Sequence, residues 1–129
     1  MKTLDLDGHV FSGKGEGAKY VRFPWVKAQM TEKLGFTPYL GTLNIKLAGK
    51  NVSQKKLLRS VKALEILPAE GFGRGRLFRA ILENLPCAIV VPQVTNYPED
   101  VIEIVASVNL REKLHLKDGD AVIVKILLE

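Results

Sequence analysis

The chain has 129 residues, of which 47% are hydrophobic, and carries a formal net charge of +5 with a sequence pI near 9.4. This length suits one domain that buries a core unaided, and the lone Cys87 excludes an intrachain disulfide. The first residues mix charged and apolar side chains, which excludes an apolar export signal, and no apolar run is long enough to cross a bilayer. We therefore expect one cytoplasmic domain over residues 1–129. Its positive charge favours an anionic partner, but it does not distinguish a nucleotide from a nucleic acid.

The N-terminal part predicts a strand, a glycine-rich turn and a helix. Residues 5–11 show partial strand alternation and end at the turn 13–17. Glycines let backbone N–H groups approach an anion closely, although a glycine cluster more often means only a turn. Pro24 suits the first turn of a helix, and Gly35 is placed to end it.

The next strand carries polar residues on one face. Within residues 40–47 the apolar side chains alternate with polar ones, so Thr42 and Asn44 share the polar face. Their neutral oxygens suit Mg²⁺ only when substrate phosphates supply the negative charge. The alternative is the ordinary polar face of an amphipathic strand.

The middle of the chain is less distinctive. Ser53 is expected to cap a short basic helix over 55–59, and residues 61–67 follow as a strand. Residues 76–82 and 87–91 are β-rich runs separated by turn residues, which predicts a hairpin.

A polar loop around Thr95 precedes an apolar strand over 101–105. Glu103 is the one carboxylate in that strand. It either accepts a proton or a hydrogen bond from a substrate hydroxyl, or lies on the solvent side of an edge strand.

The C-terminal part predicts a capped helix and a final strand. Asn109 is placed to cap a helix over 110–114, and a turn at 117–120 leads into the strand 121–128. Arg111 either grips a phosphate bidentately or pairs with a neighbouring carboxylate. Many short strands and few helices predict a mainly β fold, a small, partly closed β-barrel with short helices.

Several segments together resemble the archaeal CTP-dependent riboflavin kinases, in order along nearly the whole chain. The most specific is Gly41-Thr42-Leu43-Asn44 with its Pro-Tyr lead-in, and residues 48–80 are the least distinctive. The matching segments are 12–17, 36–47, 88–92, 102–106, 110–112 and 117–120.

This resemblance implies a single-domain cradle-loop barrel that transfers the γ-phosphoryl group of CTP to the 5′-hydroxyl of riboflavin, giving FMN and CDP. It implies Mg²⁺ held at Thr42 and Asn44, and flavin contacts at Thr95 and Glu103, with Glu103 also a candidate general base. The nucleotide-binding positions it implies are Gly13, Lys14, Gly15, Glu16, Gly17, Ala18, Val108, Asn109, Leu110 and Arg111.

One position departs from the family pattern, because Ser107 stands where a proline is expected after alanine. Some relatives carry an N-terminal helix-turn-helix domain, whereas this chain is expected to start at the barrel. We expect a monomer with CTP and riboflavin as partners and with no membrane partner.

Two other function classes stay open. A flavin- or nucleotide-binding module without turnover would keep the same glycine segment. A nucleic-acid-binding regulator is less favoured, since a solvated basic face explains the same cations. Those cations are Lys46, Lys50, Lys55, Lys56, Arg59 and Lys62.

Overall fold

The structure is a computed structural model that describes residues 2–13, 16–68, 74–93 and 96–128, with residue 16 described by its backbone alone. Short strands dominate these ranges. In chain order the elements are β1 (Lys2–Phe11), α1 (Glu16–Val21), α2 (Pro24–Leu34), β2 (Leu43–Leu47), α3 (Gly49–Lys55), a 3₁₀ turn (Lys56–Ser60), β3 (Leu64–Ile66), β4 (Gly75–Leu82), β5 (Leu85–Pro92), β6 (Val101–Val105), α4 (Leu110–Lys113) and β7 (Ala121–Leu128).

Six of these strands close into an antiparallel barrel in the order β4, β5, β6, β2, β1, β7. Closure comes from β7 pairing back onto β4, where Ala80 lies opposite Ile126. The first part of the same β4 edge pairs with β3 instead, from Leu64 opposite Leu77 to Ile66 opposite Gly75. The predicted mainly β barrel with short helices is therefore confirmed.

The topology of the barrel repeats once along the chain. The series strand, connection, strand, helix, strand occurs as β1, β2, α3, β4 and again as β5, β6, α4, β7. In the first series α1 and α2 lie in the connection, and the 3₁₀ turn and β3 come before β4. The equivalent strands β2 and β6 pair with each other, and so do β4 and β7. Because β2 and β6 are neighbours, the connections that precede them can reach one shared stretch of the barrel wall.

Apolar residues pack on both faces of this wall. Ile45 and Ile104 point into the barrel with nine-tenths or more of their surface buried, as strand alternation requires. Val90 and Val105 belong to a second cluster on the outer face, together with Met30 of α2. All five residues of β6 are buried, as expected for a strand covered on both faces.

Two local predictions are confirmed. Helix α2 begins at Pro24, and Gly35 ends it with φ +83°, donating its N–H to the Thr31 carbonyl oxygen at 3.1 Å. The hairpin between β4 and β5 turns through Glu83 and Asn84, both with positive φ, so its loop is a tight two-residue turn.

The prediction for the middle segment is wrong in two respects. Helix α3 begins at Gly49 after Ala48, so Ser53 lies inside the helix rather than capping it. The strand expected over 61–67 shortens to β3. A tertiary contact fixes the helix start: the side-chain oxygen of buried Asn51 accepts a hydrogen bond from the Asp7 N–H at 3.1 Å. Within the described ranges, no helix combines the length and apolar character needed to span a membrane.

Candidate functional site

Glu103 is a buried carboxylate on the outer face of the barrel, with 2% of its surface exposed. Its Oε2 accepts hydrogen bonds from the Gly17 N–H at 2.8 Å and the Tyr97 hydroxyl at 2.6 Å. Its Oε1 accepts one from the Thr42 hydroxyl at 2.7 Å. Strand β6 lies between β5 and β2, so the alternative of a solvent-facing carboxylate on an edge strand is wrong.

The hydrogen bonds account for how a carboxylate is tolerated here. Burying a charge costs several kcal/mol unless polar partners replace water. Here two donors are remote in sequence, and the third, Tyr97, lies six residues before Glu103. A carboxylate offers about four acceptor positions, and the described residues fill three of those on Glu103. A substrate hydroxyl is a donor that suits the fourth.

Two glycines allow the chain to approach the site closely. A Cβ atom at position 17 would lie 2.6 Å from the Glu103 carboxyl carbon, and one at position 13 would lie 2.6 Å from Asn44 Oδ1. Asn44 is also the direct cross-strand partner of Glu103. Gly13 and Gly17 are therefore required by close packing against two predicted site residues.

The glycine-rich segment does more than turn. The glycine spacing predicts only a turn over 13–17, but α1 already begins at Glu16. The Gly17 N–H belongs to the first turn of α1, where N–H groups have no partner within the helix, and it bonds Glu103 instead. Lys14 and Gly15 lie outside the described residues, and Ala18 follows on the same helix.

Thr42 and Asn44 offer oxygens suited to a hard cation. The Thr42 hydroxyl donates its proton to Glu103, which leaves its oxygen lone pairs available. The described part of the chain has no cluster of three or more His, Cys, Asp or Glu that could hold a metal ion. These neutral oxygens fit Mg²⁺ that arrives with phosphates and keeps several waters.

A cleft of about 120 Å³ opens beside Thr42. Asn109 caps α4 by accepting the Glu112 N–H at 3.2 Å, and its amide group donates to the Tyr39 hydroxyl at 3.2 Å. The predicted cap is thus confirmed. The residues that line the cleft are Tyr39, Gly41, Thr42, Leu43, Ile104, Ala106, Val108, Asn109, Leu110 and Arg111.

Arg111 joins α4 to the end of β1. Its guanidinium donates to Asp118 at 2.6 Å and to the Phe11 carbonyl oxygen at 3.1 Å. Asp118 also accepts the Ser12 hydroxyl at 3.0 Å, and these bonds, that of Arg111 first, lower the pKa of Asp118. Of the two interpretations of Arg111, pairing with a carboxylate is therefore realised, and its other N–H groups retain donor capacity.

Two contributors were not found by the sequence analysis. Thr95 lies outside the described residues, but Tyr97 on the same connection contacts Glu103 directly. Lys55 donates to the carbonyl oxygens of Val101 at 2.8 Å and Pro98 at 3.3 Å, and its Nζ lies 5.4 Å from the Tyr97 ring centroid. No spacing signal in the sequence links these positions, because the contacts arise from the fold of α3 against β6.

Several of the cations considered for nucleic-acid binding are used within the molecule. Lys46 pairs with Asp100 at 3.2 Å, and Arg59 pairs with Glu99 at 2.9 Å. Lys55 bonds backbone carbonyls. This use of the basic groups weakens the nucleic-acid alternative.

The barrel with its buried carboxylate belongs to a known family of domains. The model of the CTP-dependent riboflavin kinase family, described as Domain of unknown function DUF120, matches residues 10–126, so the chain belongs to that family. The expected family is thereby confirmed.

Relatives in archaea extend this finding. The chain is 41% identical to the riboflavin kinase of Methanosarcina barkeri over 98% of this chain and 58% of that protein. It is 44% identical to the riboflavin kinase of Pyrobaculum islandicum, over 98% of this chain and 62% of that one. It is 38% identical to the riboflavin kinase of Archaeoglobus fulgidus, over 98% of this chain and 56% of that protein. The chain thus spans about three fifths of the length of these curated relatives.

Proposed function

We propose that this protein is a CTP-dependent riboflavin kinase, which transfers the γ-phosphoryl group of CTP to the 5′-hydroxyl of riboflavin and releases FMN and CDP. One observation carries the proposal: Gly17, Thr42 and Tyr97 all donate to Glu103. The family resemblance assigns Gly17 to the nucleotide, Thr42 to the metal, and Glu103 to the flavin. One carboxylate therefore connects all three functions.

The nucleotide belongs between the glycine-rich segment and α4. The cleft beside Thr42 is lined by Val108 through Arg111, and Arg111 reaches back to the Phe11 carbonyl at the start of the glycine-rich segment. Backbone N–H groups and an always-charged guanidinium suit phosphate oxygens. Phosphoryl transfer depends chiefly on such positioning and charge neutralisation.

Thr42 Oγ1 and Asn44 Oδ1 would hold the magnesium ion. When bound, Mg²⁺ supplies charge neutralisation and orientation for the transferred phosphoryl group. Thr42 also connects this position to Glu103 through its hydroxyl hydrogen. This hydrogen bond would link the metal position to the flavin position.

Glu103 would receive the riboflavin 5′-hydroxyl at its open acceptor position. In that role it orients the hydroxyl oxygen toward the phosphoryl group and can take the hydroxyl proton as phosphorus–oxygen bond formation proceeds. Because the transition state of phosphoryl transfer is loose, orientation matters more than basicity. Glu103 thus serves first to position and second as a candidate base.

The direct test is incubation with riboflavin, Mg²⁺ and each of CTP, UTP, GTP and ATP, followed by chromatographic separation of FMN. We expect FMN chiefly with CTP, complete loss on chelation of the metal, and recovery on adding Mg²⁺. Binding of riboflavin or CTP without FMN from any donor would instead identify a non-catalytic module. That the protein is a cytoplasmic monomer stays a prediction, and light scattering at assay concentration tests its oligomeric state.

Substitutions at Thr42 test the metal assignment. Thr42→Val keeps the shape but removes both the hydrogen bond to Glu103 and the ligand oxygen, so we expect at least a hundredfold loss of kcat, as when a transition-state electrostatic contact is removed. Thr42→Ser keeps the hydroxyl and should stay within about tenfold of wild type. Asn44→Ala should also abolish magnesium-dependent turnover with the fold intact. Full turnover by Thr42→Val or Asn44→Ala at saturating Mg²⁺ would contradict the ligand assignment.

A further inference from the structure

The connection that leads into β6 is held in place by a lysine from another element. Lys55 ends α3, and its ammonium group donates to the carbonyl oxygens of Pro98 and Val101. The same group lies against the ring of Tyr97. One side chain therefore contacts the last part of this connection at two carbonyl oxygens and at one aromatic ring.

The surroundings of Lys55 match this role. Burial lowers its pKa, and nearby Glu99 acts in the opposite direction. A long, partly buried ammonium loses much side-chain freedom, and that cost is offset where its donors meet fixed acceptors. The neighbouring Lys56 is exposed and has no described contact to Pro98 or Val101.

We propose that Lys55 is a positioning residue for riboflavin, acting through Tyr97 on Glu103. The proposal rests on the proposed function. Tyr97 supplies one of the two donors to Glu103 Oε2, and the Lys55 ammonium lies 5.4 Å from the centroid of the Tyr97 ring. Thr95, the other flavin position implied by the resemblance, belongs to the same connection. The flavin side of the site thus depends on Lys55.

The nucleotide side shares Glu103 through the Gly17 N–H and otherwise has supports of its own. Thr42 bonds the other carboxylate oxygen, Oε1, and the cleft beside α4 has no contact with Lys55 among the described residues. Loss of the Lys55 ammonium should therefore loosen riboflavin binding and leave CTP binding nearly unchanged. A purely structural role would change both.

The test compares wild type with Lys55→Met, Tyr97→Phe and the double variant. Lys55→Met keeps the length of the side chain but removes its charge and donors. For each single variant we expect the KM for riboflavin and its Kd, measured by flavin fluorescence quenching, to rise about tenfold, with the KM for CTP within about twofold. If Lys55 acts through Tyr97, the double variant should be little worse than either single one.

Lys56→Met is the matched control and should bind riboflavin as wild type does. Equal rises in both KM values, additive effects in the double variant, or the same change in Lys56→Met would overturn the proposal. Should Lys55→Met not fold, Lys55→Gln is measured in its place with the same expectations. Wild-type protein that neither binds riboflavin nor forms FMN would defeat the proposed function itself, whereas an active wild type with unaffected variants defeats only this inference.

Discussion

Glu103 combines deep burial with an unusual set of partners, because its three described donors are a backbone N–H and two hydroxyl groups. An amide at this position could accept at one oxygen only, and its NH₂ group would face donors. Glu103→Gln should therefore lower the free energy of unfolding by about 1–3 kcal/mol, the cost of unsatisfied buried polar groups, as well as abolish FMN formation.

Urea denaturation, monitored by circular dichroism, tests this prediction. Glu99→Gln, on an exposed carboxylate paired with Arg59, is the control and should change stability by less than about 1 kcal/mol. Loss of FMN formation with unchanged stability in Glu103→Gln would mean that Glu103 acts as a base without organising the site.

Gly17 is the second residue at which the site and the packing coincide. An alanine Cβ there would meet the Glu103 carboxylate at 2.6 Å, so either α1 or the carboxylate must move. We expect Gly17→Ala to reduce FMN formation at least tenfold, as misplacement by about 1 Å does in oriented sites. Gly49→Ala is the control, because a Cβ there meets nothing within 4 Å; its activity should equal wild type.

At the level of elements, Asp118 joins the turn before β7 to α4 and to the residue after β1. Its pKa is lower in the folded protein than the ordinary value of 3.8, chiefly through the hydrogen bond from Arg111. A carboxyl of this kind stabilises the fold above its unfolded pKa, and the contribution disappears as pH falls through the folded pKa.

Asp118→Asn should therefore melt slightly below wild type at pH 7, and the difference should vanish once the pH falls below the lowered pKa of Asp118. The measurement is the thermal unfolding midpoint as a function of pH. A difference for Asp118→Asn that grows in acid would contradict the assigned linkage.

Elements with strong local signals could be predicted from the sequence. Pro24 and Gly35 bounded α2, and Asn109 capped α4, because each acts on its own backbone neighbourhood. The start of α3 could not be predicted, since it depends on Asn51 contacting Asp7, which is 44 residues away in sequence. The helix opening at Glu16 was missed because the glycines before it indicated only a turn.

For the whole molecule, the alternation of apolar and polar residues predicted the strands, and the number of strands predicted a small barrel. Closure of the barrel, however, rests on a few residue pairs between β4 and β7, which are far apart in sequence. The site shows the same limit. Thr42, Asn44 and Glu103 could each be proposed as site residues from the pattern of their own segments. Only the family resemblance assigned them to one site. Tyr97 and Lys55 were missed, because only the fold brings α3, the connection before β6 and Glu103 together.

Closure itself can be tested on β7. Ile126 is fully buried opposite Ala80 at the seam, whereas Ile123 on the same strand is 59% exposed. Ile126→Ala should cost about 2–5 kcal/mol of unfolding free energy through lost burial and a cavity, and Ile123→Ala less than about 1 kcal/mol. Because Glu103 and Asn44 lie on β6 and β2, FMN formation well below the unfolding midpoint should be unchanged in both variants. Equal stability losses in urea denaturation would mean that the strand does not close the barrel through Ile126.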